Sequence, residues 1–131
     1  METDGGVNIA DRGNSRIKRF TPEGVFVSQW GTRGPVGVAV ASDGSVYVTD
    51  TDNNRIKKFT SEGVFVSEWG APGEGDGEFL DPEGVAVAPD GSVYVADAGN
   101  HRIQKFTSEG VFVSKWDTWG DDDWQGQSYP N

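Results

Sequence analysis

At 131 residues with a net charge of −10, the chain has room for one ordinary domain and too little positive charge to bind a nucleic-acid backbone. It holds no cysteine and one histidine, which removes disulfides, thiolate metal sites, a cysteine nucleophile and any one-chain site of several imidazoles. Sixteen valines against one leucine favour strands over helices, and 19 glycines with 6 prolines supply many tight turns.

The first six residues, Met1 to Gly6, have no basic start and no apolar stretch, so they do not read as a signal peptide. No apolar run reaches the ~18 residues of a membrane helix. The compartment stays open on these grounds, with an extracellular location favoured.

From Thr3 onward the chain repeats itself. TDGGVNIA, DRGNSRIKR and FTPEGVFVSQW occupy 3–30. SDGSVYVT, DTDNNRIKK and FTSEGVFVSEW follow over 42–69, and PDGSVYVA, DAGNHRIQK and FTSEGVFVSKW over 89–116. Copies two and three also carry an upstream segment, PVGVAV at 35–40 and PEGVAV at 82–87. Trp30 and Trp69 stand 39 residues apart, and Trp69 and Trp116 stand 47 apart. The eight extra residues fall in one loop, Gly70 to Pro82.

Each unit reads as four short strands, a to d. Strand a is GVAV (37–40, 84–87), a continuous apolar run expected to be buried on both faces. Asp-Gly turns it into strand b, SVYVTD or SVYVAD. A polar loop leads to strand c, RIKKF or RIQKF, and Ser-Glu-Gly turns that into strand d, VFVSEW or VFVSKW. Alternation expects Phe65, Ser67 and Trp69 on one face, and Val64, Val66 and Glu68 on the other. Trp30, Trp69, Phe20, Phe59 and Phe106 are expected to pack between units. Such a meander cannot bury both faces alone, and radial stacking at a period of ~40–45 residues gives a β-propeller.

The string P-x-G-V-A-V-x-x-D-G-x-V-Y-V-x-D-x-x-N-x-R-I-x-K-F, followed by E-G-x-F-x-x-x-W-G, resembles the NHL repeat over residues 3 to 116. Two positions depart from it: Asn8 stands where strand b has Tyr, and Asp117 stands where Gly follows the Trp. The resemblance implies an all-β propeller of four-stranded antiparallel blades, about three per chain. The family generally forms six-bladed rings that bind proteins, small ligands or RNA, and a minority are lyases with a metal centre. The expected division is blade one over 1–34, lacking strand a, blade two over 35–81, blade three over 82–118, and a tail over 119–131. Three blades do not close a ring, which takes ~4–8. The chain is therefore expected to pair with itself or with neighbouring blades of a longer protein.

Asp11, Asp50 and Asp97 end each strand b, and Arg16, Arg55 and Arg102 begin each strand c. Occurrence in all three copies favours a loop-tying role over a ligand shell. Asn14, Asn54 and Asn100 are read as loop residues tolerant of left-handed geometry. Eight of the eleven basic residues lie in the strand c segments, where pairing with acidic turns is favoured over an anion site. The acidic runs 74–81 and 117–123 lack calcium-loop spacing. Candidate binding residues are Arg12, Arg33, Asp52, Asn53 and His101, with Trp119 and Trp124 of the tail. Candidate seam residues between chains are Val7, Ile9, Val111, Val113, Trp116 and Tyr129. No cofactor, metal or membrane partner is expected. A non-catalytic binding or assembly module is the favoured function, ahead of a ligand- or glycan-binding sensor segment and of a lyase or hydrolase.

Overall fold

The structure, a computed structural model, describes residues 6–31 and 35–118. Among these residues, eleven strands form three antiparallel sheets. The first sheet holds β1 (Val7–Asp11), β2 (Arg16–Phe20) and β3 (Phe26–Gly31) in that order. The second runs β4 (Pro35–Val40), β5 (Val46–Asp50), β6 (Arg55–Phe59), β7 (Phe65–Trp69). The third runs β8 (Pro82–Val87), β9 (Val93–Asp97), β10 (Arg102–Phe106), β11 (Phe112–Asp117). Each is a meander, and the sheets stack as propeller blades. Among the described residues, the one helical feature is a single 3-10 turn after each strand b, at Arg12–Asn14, Thr51–Asn53 and Ala98–Asn100.

The turn chemistry explains the meander. At Asp43-Gly44 and Asp90-Gly91 the Asp carboxylate accepts the N–H two residues on, at 2.8 Å from Ser45 and 2.9 Å from Ser92. The following glycine takes φ near +90°, which a side chain would resist. The Thr-x-Glu-Gly turns close with Thr60 and Thr107 hydroxyls accepting the N–H of Val64 and Val111, both at 3.1 Å.

Two apolar layers hold the blades together. Between blades one and two lie Ile17, Val46, Val48 and Phe59, with Ala10 and Trp30 packed against them. Between blades two and three lie Tyr47, Ile56, Phe79, Val93, Val95 and Phe106, with Trp69 beside them. Trp30 thus packs on Phe59 of the next blade at 5.7 Å between ring centroids, and Trp69 packs on Phe106 at 5.5 Å.

Three expectations need correcting. Strand a is only half-buried at residues 37–40, and the fully enclosed strand is β5. The reason is position: β4 and β8 are the edge strands of their sheets, whereas β5 is flanked on both sides. Strict alternation also fails in strand d. Register slips by one residue where Phe59 meets Phe65, so Phe65 lies beside Phe59 while Trp69 lies beside Ile56. Finally, the left-handed residues of the three b–c loops are Ser15, Asn54 and His101, so Asn14 and Asn100 are not among them. Those two instead sit in the 3-10 turns, each with its Nδ2 donating to the Asp that ends strand b.

Candidate functional site

Each b–c loop is built on one unit, Asp-x-x-Asn-x-Arg. The Asp carboxylate receives the Asn side chain three residues on, at 3.0 Å for Asp11 with Asn14 and 2.9 Å for Asp97 with Asn100. In blade two, Asp50 receives Asn53 at 3.1 Å and Arg55 Nε at 3.0 Å. Blade three is the most enclosed. Asp97 receives Arg102 Nε at 2.8 Å, Gln104 Nε2 at 3.2 Å and the N–H of Leu80 at 2.8 Å. Arg102 then donates to the carbonyls of Glu74, Gly75 and Glu78, each at 2.9 Å. These bonds clamp the long loop between β7 and β8, and Phe79 of that loop is fully buried against Phe106.

The b–c loops and this β7–β8 loop share one face of the chain. Thr51 Oγ1 donates to the Pro82 carbonyl at 2.6 Å, and Asn54 Oδ1 accepts the N–H of Asp81 at 2.8 Å. On the same face Arg12 and Asp52 bridge blades one and two at 3.1 Å. Nearby, Glu83 shares a hydrogen bond with Asp81, and that bond, followed by the Asp81 charge, raises its carboxyl above the ordinary value. Arg12 acts in the opposite direction on it. Asp11 is shifted the other way, lowered chiefly by the Asn14 hydrogen bond and then by Lys18.

The second candidate surface is the pair of outer sheet faces. On blade one, Val7 and Ile9 are 44% and 46% exposed. They lie beside Phe20 and Lys18 in the register of β1 with β2. Their counterparts Val46, Val48, Val93 and Val95 are fully buried. On blade three, Trp116 is 48% exposed and lies beside Ile103. A shallow depression of about 310 Å³ on this blade is lined by Ala86, Tyr94, Ala96 and Ile103, among others.

The turns record the same asymmetry. A Cβ placed on Gly63 would meet the Trp30 ring at 2.8 Å, and one on Gly110 would meet Trp69 at 2.6 Å. A Cβ on Gly24, the matching residue of blade one, would meet nothing within 4 Å. Inside the chain, Tyr47 Oη and Lys58 Nζ both donate to the carbonyl of Ser108 in the next blade, at 3.0 and 3.2 Å. Asn8 holds the Tyr47 position in blade one, and neither atom of its enclosed amide has a hydrogen-bond partner.

Of the residues named from sequence, the structure brings Arg12 and Asp52 together and ties Asn53 into the Asp50 loop. His101 occupies the left-handed position of blade three, with its N–H on the Ala98 carbonyl and its own carbonyl accepting from Thr118. Val7, Ile9 and Trp116 lie on the outer faces. Val111 and Val113 do not mark the blade-three face: their counterparts Val25, Val27, Val64 and Val66 are exposed to a similar degree on every blade. They belong to the strand at the outer rim. Arg33, Trp119, Trp124 and Tyr129 lie outside the described residues. Tyr94, Ile103, Gly24 and Glu83 went unnamed. Aligning the copies puts Tyr94 with Tyr47 and Gly24 with Gly110, but only the packing says what those positions touch.

The NHL repeat family matches residues 32–59 and 79–106. The chain thus carries two NHL repeats, on sheets that stack as propeller blades. No curated protein matches its sequence. Among solved structures, it is similar to a catalytically inactive virginiamycin B lyase from Staphylococcus aureus with quinupristin: TM-score 0.70, 21% identity, 88% of this chain and 39% of that one. It is similar to hydrazine synthase of Kuenenia stuttgartiensis, with a TM-score of 0.70, 18% identity, 88% of this chain and 33% of that one. A protein of unknown function from Bacteroides caccae gives 0.68, 18%, 86% and 40% on the same measures. The chain thus spans less than half the length of these structures, and at such identities the likeness is one of fold.

Proposed function

We propose that the chain is a non-catalytic propeller module that assembles with protein through its two outer sheet faces. One observation carries this reading: the apolar residues of strand b are nearly half exposed at Val7 and Ile9 and fully buried at their counterparts in blades two and three. Burying apolar surface releases about 25 cal/mol per Å², so two open faces of this kind favour association.

The chemistry of the remaining surface agrees. The described inner strands offer Gly, Val and Ala over 37–40 and 84–87, with no ionisable group. Asp50 and Asp97 are already engaged by Asn, Arg, Lys or Gln side chains of their own blades. No group of three His, Cys, Asp or Glu side chains among the described residues is placed to hold a metal.

Sedimentation velocity of the 131-residue chain over a wide concentration range tests the assembly. A mass that rises above 14.1 kDa with concentration is the expected result. A particle that stays monomeric throughout and melts cooperatively refutes it.

A further inference from the structure

We infer that the partner is a second copy of this chain, and that blade three of one copy packs onto blade one of the other in the register of the two internal seams. The inference rests on the assembly reading above and adds the partner, its orientation and its contacts.

The argument is one of repetition. Blade two presents Tyr47, Ile56 and Trp69 to blade three, which answers with Val93, Val95 and Phe106. Blade three presents the same kind of face, with Tyr94, Ile103 and Trp116 at the matching positions. Blade one carries the same kind of answer, with Val7, Ile9 and Phe20. The chain therefore displays both halves of a seam that it already forms twice within itself.

Moving the internal contacts on by one blade fixes the register. Trp69 stacks against Gly110 and Phe106, so Trp116 comes to Gly24 and Phe20 of the second copy. The slot over Gly24 is open and the Trp116 ring is exposed, as this docking requires. Tyr47 and Lys58 donate to the Ser108 carbonyl, so Tyr94 and Lys105 meet the carbonyl of Pro22. Proline is acceptable there because the contact uses only the carbonyl, which proline keeps. Lys105 already lies 5.6 Å from the Tyr94 ring centre, as Lys58 lies 5.4 Å from that of Tyr47, so the donor pair is set before docking.

This contact joins different surfaces, so it repeats head to tail and either closes into a ring or continues. Two copies supply six blades, within the ~4–8 that close a propeller.

Two variants and their mixture test the register. Ile9→Glu places a charge on the head face, and Trp116→Glu places one on the tail face. Both sites are exposed, and a cooperative melt checks that each variant folds. Each variant alone should remain at the mass of one chain, because every seam needs one intact head and one intact tail. An equimolar mixture should double that mass, since the intact tail of the first meets the intact head of the second. The chain lacks cysteine, so a short bismaleimide offers a second readout. It should join a Trp116→Cys chain to a Pro22→Cys chain, and should not join Trp116→Cys chains to one another. If the unsubstituted chain assembles but the mixture stays monomeric and the cross-link fails, the register is wrong and the assembly reading survives. If the unsubstituted chain never assembles, the assembly reading itself falls.

Discussion

Replacing Arg102 with methionine tests whether burial sets the worth of the repeated Asp-x-x-Asn-x-Arg loop. Arg102 is 7% exposed, and its guanidinium makes one bond to Asp97 and three to backbone carbonyls of the β7–β8 loop. Methionine keeps much of the apolar stem and removes every donor. Asp97, with no exposed surface, loses its charge partner, and breaking a buried pair from one side costs about 3–5 kcal/mol. Arg55 offers an internal control. It is 34% exposed and pairs with Asp50 at 3.0 Å and Glu68 at 3.2 Å, while Lys57 also reaches Asp50 at 3.6 Å. Solvent screening and this second cation bring the cost of Arg55→Met to about 1 kcal/mol. Arg16 donates to the Asn14 carbonyl of its own turn at 3.3 Å, and Arg16→Met should cost about 0.5 kcal/mol or less. Urea unfolding at one fixed chain concentration, with slopes compared, gives the three values. Limited proteolysis should show the 70–82 loop opening in Arg102→Met alone. Equal losses at the three arginines, or the reverse order, would refute the reasoning.

Asn8→Tyr should raise stability by about 1–2 kcal/mol in the same urea assay, because it replaces an enclosed amide without partners by the residue that bonds across the blade two–three seam. Trp69→Ala should lower it by roughly 3 kcal/mol, the low end for a large aromatic since Trp69 is half-buried. In an acid titration, Asp43 and Asp90 are held below 3.8, chiefly by the N–H of Ser45 and Ser92, and Asp11 by Asn14. Their folded values lie below their unfolded ones, so their stabilisation is present above 3.8 and fades as the pH falls through the folded values. Glu83 is raised above 4.5, so its contribution has the opposite sign and is lost as the pH rises through its folded value. Glu83→Gln should therefore flatten that part of the profile. Adding EDTA should leave the melting temperature unchanged, and a large drop would expose an ion that the fold requires.

The repeat made the fold legible. A period of 39 residues, Val-rich runs and Asp-Gly turns define four short strands per unit, because turn geometry and alternation act over a few residues and are written locally. The pairing of Asp50 and Asp97 with Asn, Arg and Gln side chains three to seven residues on is local in the same way. The bonds to b–c loop N–H groups expected of a loop-tying Asp are not made. The bonds of Asp97 to Leu80 and of Arg102 to the 74–78 carbonyls reach a separate loop that no local pattern marks. Phe79 was not readable. It opens the second NHL match, where the first match has Thr32, so comparing the copies does not mark it, and only the fold shows it buried on Phe106.

By itself, then, the sequence determined the blade, its turns and its membership of a stacked array. What the tertiary structure decided was direction. The slip between Phe59 and Phe65 sends Phe65 toward one neighbour and Trp69 toward the other, and no local pattern announces a one-residue bulge. Tertiary packing also separated identical glycines into filled and open slots, since Gly63 and Gly110 carry a tryptophan and Gly24 does not. Repeats make positions equal in sequence, and only their neighbours in space make them different.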